Sequence, residues 1–125
     1  MRAGRPFLLL GAAYGLLGVV LGAYGAHALS KQISAEMLAV YHTGVEYQFY
    51  HAFALLAVGL LGRLKPAPLL TVAGGCFAAG VLLFSGSLYW YALSGPHWLV
   101  YVTPLGGLLF MAGWAALIAA QLRDR

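Results

Sequence analysis

Residues 68–93 read PLLTVAGGCFAAGVLLFSGSLYWYAL, and this stretch decides the fold class. It holds no Asp, Glu, Lys or Arg, opens on a proline suited to a first helical turn, and closes at Ser94-Gly95-Pro96. A helix crossing the hydrocarbon of a bilayer takes about 20 mostly apolar residues, so this one is long enough to cross. The uncharged run extends on both sides, from Pro66 to Gln121, and a second run covers Pro6 to Ser30. Length and period both argue against strands. The expected fold is all-α: a polytopic membrane protein, an antiparallel four-helix transmembrane bundle.

Composition agrees. Of 125 residues, 62% are hydrophobic and 8% charged, against roughly 25% charged in a soluble domain. Residues 1–125 are expected to form a single transmembrane domain, with no room for a separate soluble catalytic unit. No enzyme activity is expected. The net charge of +4 does not point to nucleic acid, because the basic residues sit at helix ends and form no face that could track a phosphate backbone. Cys76 stands alone inside an apolar run and reads as a small buried hydrophobe. No phosphate-binding glycine fingerprint follows a strand, and Ser85-Gly86-Ser87 is not a nucleophile elbow.

Sequence punctuation sets the spans at about 6–29, 36–62, 68–93 and 98–122. Ser30 or Ser34 can cap the second, and Arg63-Leu64-Lys65-Pro66 ends it. Arg2 and Arg5 ahead of an apolar run, with Ala26-His27-Ala28 behind it, have the outline of a signal peptide. The run is longer than the usual apolar region of about 7–15 residues, so a retained first helix is expected. Short connections make neighbouring helices antiparallel. One side then holds Arg2, Arg5, Arg63, Lys65, Arg123 and Arg125, and the other holds Lys31. That bias predicts a bacterial inner (plasma) membrane protein with both termini cytoplasmic. Tyr89, Trp90, Tyr91, Trp98 and Tyr101 would form an aromatic belt at the far interface.

The glycines are expected to be packing surfaces. Gly11/Gly15 and Gly18/Gly22 are spaced to share faces of the first helix, and Gly74, Gly75, Gly80, Gly86, Gly106, Gly107 and Gly113 serve the third and fourth.

The polar residues share a depth. At ~1.5 Å of rise per residue from each span's midpoint, His27 falls roughly 15 Å, His42 roughly 10 Å and Glu46 roughly 5 Å toward the outer face. Ser85, Ser87 and Thr103 fall roughly 7–11 Å the same way, and His51 lies near the midplane. These seven residues form a candidate ligand-binding or helix-tying cluster, read as a polar vestibule in the outer leaflet. Glu46 is the costly member, because intramembrane carboxylates normally face a bundle or water. His42 and Glu46 lie four apart on one face that Tyr50 continues, and His51 points roughly 140° away from Glu46. His27, His42 and Glu46 match no strong metal signature, so no metal is assigned. His51 with a second histidine is the only arrangement that suggests haem, and no cofactor is assigned.

Four segments together resemble a known family. They are Gly22-Ala23-Tyr24-Gly25-Ala26-His27-Ala28-Leu29, Thr43-Gly44-Val45-Glu46-Tyr47-Gln48-Phe49-Tyr50-His51-Ala52, Leu83-Phe84-Ser85-Gly86-Ser87-Leu88-Tyr89 and Thr103-Pro104-Leu105-Gly106-Gly107. In this order they resemble the domain of unknown function 423 family, small bacterial inner-membrane proteins with mitochondrial relatives. The resemblance covers nearly the whole chain. It implies four spans and no settled activity. It carries over His27, His51, Ser85, Ser87, Thr103 and Pro104, whereas Glu46 and His42 depart from the pattern.

The expected function is that of a small integral membrane protein of unknown biochemical activity. It would act as an accessory or binding protein whose partners are membrane lipid and a larger membrane complex or a second copy, not nucleic acid. Two alternatives stand beside it. One is a proton, cation or small-molecule transport component acting as an oligomer. The other is a redox accessory subunit in contact with haem or quinone.

Overall fold

A computed structural model describes residues 3–124. It contains four long helices and, among the described residues, no strand. Helix α1 spans Arg5–His27 and runs into a short 3-10 turn, Leu29–Lys31. Helices α2, α3 and α4 span Ala35–Leu64, Pro68–Ala92 and Leu99–Arg123. These bounds fall within two residues of the expected spans. Ser34, rather than Ser30, caps α2, its hydroxyl accepting from the Met37 amide at 3.1 Å. Pro6 and Pro68 sit in first turns, where a missing N–H costs nothing. After α3 the chain reverses through Ser94, whose φ of 83° is left-handed, and the Gly95 amide bonds back to the Trp90 carbonyl at 2.8 Å.

Glycine sets how closely the helices approach, but on a different register from the expected one. In α1 the contact positions recur every seven residues. A Cβ added at Gly11 would meet the Ala52 carbonyl at 2.9 Å, at Gly18 the Phe49 ring at 2.9 Å, and at Gly25 the Tyr41 ring at 2.5 Å. As α1 ascends its partners on α2 descend, so the pair is antiparallel. Gly15 faces open space instead, and Gly22 makes only an ordinary contact with Val45. A heptad keeps one seam facing a left-handed partner, whereas a four-residue step drifts off it.

The same logic joins the other helices. Gly44 of α2 lies beside Tyr89 and Ser85 of α3; Gly80 of α3 receives the Phe110 ring of α4, and Gly106 and Gly113 of α4 lie against Phe84 and Phe77 of α3. Gly75 and Gly86 face open space. Helices α2 and α3 form the centre, with α1 packed on α2 and α4 on α3. Leu55, Val58, Ala73 and Phe77 are fully enclosed between them. A smaller cluster of Leu29, Tyr41, Val45 and Ala92 closes the end next to the 3-10 turn.

Outward positions are apolar: Leu16, Val19, Leu82, Leu108, Met111 and Ile118 are all exposed. Three segments are long and apolar enough to cross a membrane: α1 with its 3-10 turn, α3 and α4. Helix α2, at 30 residues, is the longest of the four but carries His42, Glu46, Gln48 and His51.

Candidate functional site

The polar groups of the interior meet on α2. Gln48 is 3% exposed and stands at its centre. Its Nε2 donates to the Tyr14 carbonyl of α1 at 2.8 Å, and its Oε1 accepts from the Tyr89 hydroxyl of α3 at 2.6 Å. A carbonyl can only accept, so this pairing fixes which way the amide points. The Tyr14 hydroxyl in turn donates to the Ala78 carbonyl of α3 at 2.8 Å. These bonds link α3 to α2, α2 to α1, and α1 back to α3. Nearer the end that carries the 3-10 turn, the Tyr41 hydroxyl donates to the Leu21 carbonyl of α1.

His51 ties α2 to α4. Its ring lies flat on Phe110, centroids 3.6 Å apart and planes 5° apart. Trp114 can only donate, so its contact with His51 Nε2 at 3.1 Å makes that nitrogen the acceptor. The proton then sits on Nδ1, which donates to the Tyr47 carbonyl at 2.8 Å. Both ring nitrogens are engaged and one face is covered. In this setting His51 presents no lone pair to a haem iron and does not fit an axial ligand.

Two hydroxyl contacts complete the set. Ser85, fully buried, donates to the Gly44 carbonyl across α3 and α2 at 2.7 Å. Ser87 and Thr103 share a hydrogen bond across α3 and α4 at 2.6 Å, with the Phe84 and Leu99 carbonyls as further acceptors. Among the described residues, no buried side-chain nitrogen or oxygen lacks a partner. In lipid that matters, because an unpaired polar group finds no water there.

The seven candidate residues therefore do not make one site. His51, Ser85, Ser87 and Thr103 bridge helices at three separate places. His27 is exposed at the end of α1, and His42 is half-buried against Tyr41. Glu46 is exposed on the face of α2 that points away from α3, with the Tyr50 hydroxyl donating to its Oε2 at 3.1 Å. The hollow at the end that carries the 3-10 turn, about 450 Å³, is lined by Leu29, Gln32, Met37, Tyr91 and Ser94 among others, and by none of the seven. Shared depth was a poor guide because it ignores rotation: Glu46 and Gln48 are one turn apart in height at most but roughly 160° apart around the axis. No group of three or more His, Cys, Asp or Glu is placed to hold a metal among the described residues.

Sequence reasoning passed over Gln48, Tyr14, Tyr41, Tyr89 and Trp114 as members of the interior network. A signal for two of them exists: Tyr41 and Gln48 are seven apart, on the same α2 face as Leu55, so one heptad position holds consecutive polar and apolar core residues.

A small α-helical membrane protein emerges, its interior polar groups joined in interhelical hydrogen bonds. The chain belongs to a family described as a protein of unknown function, DUF423, whose model matches residues 21–107. It is similar to the UPF0382 membrane protein YwdK of Bacillus subtilis, 42% identical over 120 residues that cover 95% of this chain and 98% of the relative. It is also similar to the UPF0382 inner membrane protein YgdD of Escherichia coli, 39% identical over 119 residues covering 95% and 91%. A UPF0382 membrane protein of Haemophilus influenzae is 39% identical over 121 residues, covering 97% of each chain. No solved structure matches the chain.

Proposed function

We propose that this chain is a four-span protein of the bacterial inner membrane, both termini cytoplasmic, that works by binding a partner within the membrane plane and carries no catalytic centre of its own. Four spans are supported by the antiparallel pairing of α2 with α1 and α3, because a helix packed along two crossing neighbours crosses with them. The inner membrane is supported by the relative from Escherichia coli, which bears that name. The orientation rests on the six Lys and Arg residues of the two termini and the α2–α3 turn, against Lys31 alone at the other end.

One observation carries the binding reading. Glu46 is a carboxyl exposed on α2 about 5 Å from the helix midpoint, well inside the hydrocarbon of a spanning helix. Left facing lipid it costs a few kcal/mol, so such groups normally face protein or water. Its one described hydrogen bond, from Tyr50 on the same helix, leaves most of the carboxyl's capacity open. A partner on that face removes the cost.

Two experiments test this. A benzophenone side chain in place of Phe53, on the same face, should form a protein adduct when irradiated in cells; adducts with lipid alone would overturn the binding reading. In a Cys76→Ala background, a cysteine at Ser94 should react with a membrane-impermeant maleimide in intact cells, and one at Asp124 should not. The reverse pattern would overturn the orientation.

A further inference from the structure

We infer that the partner on this face is a second copy of the chain, its α2 parallel to the first across a two-fold axis along the membrane normal, with the two Glu46 carboxyls meeting at the axis. This inference rests on the binding reading above and supplies its partner.

The seam is written in the spacing. Glu46, Tyr50, Phe53, Ala57, Leu60 and Leu64 are all exposed and follow one another at steps of four, three, four, three and four. That alternation is the heptad seam of helices that wrap left-handed, and a helix with the same seam is its natural complement. The α2 positions facing α1 and α3 use other registers, so the outward stripe is not left over from interior packing. Tyr50 and Phe53 are 51% and 61% exposed, large enough to be knobs, and Ala57 beside them leaves room for close approach.

Chemistry selects a like partner. The chain has three acidic residues; Glu36 lies in the first turn of α2 and Asp124 just past the end of α4, so Glu46 is the one acid within a span. A protonated carboxyl is both donor and acceptor, so two of them satisfy each other reciprocally, or share a proton. Insertion also fixes the register. Every copy in the same orientation carries Glu46 at the same depth, and a two-fold axis brings identical residues together. The Tyr50 hydroxyl, bonded to Glu46 and packed edge-on against Tyr47 at 5.4 Å, holds the carboxyl in place on each copy.

The test uses the full chain in native membranes in a Cys76→Ala background. A cysteine at Ala57, near the axis, should give a disulfide-linked homodimer on mild oxidation; cysteines at Leu16 of α1 and Leu82 of α3, both outward, should not. Changing Glu46 to Leu should lower the homodimer fraction about tenfold at matched protein-to-lipid ratio, a factor equivalent to about 1.4 kcal/mol. Changing it to Gln, which keeps a donor and an acceptor, should retain most of it. Glu46 is exposed, so tryptophan fluorescence of the monomer should be unchanged in both variants. Absence of homodimer through Ala57 overturns the inference, as does equal crosslinking through Leu16 or Leu82, or a Glu46→Leu variant that dimerises as the parent does. If the Phe53 probe then captures a different protein, the binding reading survives without the second copy; if it captures lipid alone, both fall.

Discussion

Replacing His51 by Ala should be among the most damaging single changes to the monomer. The imidazole is 4% exposed, stacks on Phe110 at 3.6 Å, accepts from Trp114 at 3.1 Å and donates to the Tyr47 carbonyl at 2.8 Å. Large-to-small changes in a packed interior cost about 2–5 kcal/mol, the lower part of that range being transfer and the upper part the cavity left behind. The ring stack and the interhelical hydrogen bond each contribute about 1 kcal/mol within it. A loss of about 3 kcal/mol is expected. Cys76 is the control, because it is a free, half-buried thiol. Its change to Ala removes a single sulfur and should cost under about 1 kcal/mol. The assay is unfolding in mixed micelles with rising SDS fraction, followed by tryptophan fluorescence, which Trp114 reports from beside the mutated ring. A Trp114→Phe change alone should cost less than His51→Ala, and the two together should fall short of additive by about 1 kcal/mol, because they remove the same bond. Coincident midpoints for His51→Ala and Cys76→Ala would refute the assignment of His51 as a tie between α2 and α4.

Two further predictions use the same assay. Gly106→Ala should destabilise by about 1–3 kcal/mol, because the new methyl would overlap the Phe84 backbone, which cannot swing aside as a side chain can; Gly86→Ala faces open space and should be neutral or slightly stabilising. Tyr89→Phe should cost about 1–3 kcal/mol by leaving the Gln48 carbonyl oxygen buried without its donor. Adding Gln48→Leu to it should cost less than the two changes made separately, whereas strict additivity would show that the pair is not coupled.

The helices were legible because their signals are local. Uncharged length, the prolines at 6 and 68, the Ser34 cap and the breaks at Lys65-Pro66 and Ser94-Gly95-Pro96 each act within a turn or two of chain. The interior network was not legible in the same way. Gln48 reaches a carbonyl on α1 and a hydroxyl on α3, 34 and 41 residues away, and nothing near it in sequence announces either partner. Trp114 carries no local signal either: its indole N–H donates to His51, 63 residues distant, only once α4 lies across Phe77. The glycines misled for a related reason. A spacing of four makes neighbours on one straight helix, yet the partner helix selects every seventh residue, and only the paired geometry distinguishes Gly18 from Gly15.

The rotational setting of α2 gives the placement of Glu46 its meaning. Gly44 and Gln48 flank Glu46 in sequence and both turn inward, one against Ser85 and the other into the bonds with Tyr14 and Tyr89. A carboxyl at either position would have had hydroxyl or amide donors within the chain, and holding the helices together would account for it. At position 46 it points the other way, and no inward contact explains it. In water that would need no explanation, since exposed glutamates are ordinary. For an α2 that spans, as proposed above, the same geometry carries a cost that a monomer does not relieve. The inward face of α2 is a finished interior in which every described buried side-chain nitrogen and oxygen is paired. The outward face has the spacing of a helix seam, and an acid opens it. If α2 spans as proposed, a helix with one complete face and one chemically incomplete face calls for cover on the second, and the proposed second copy would bring the missing groups to the right depth.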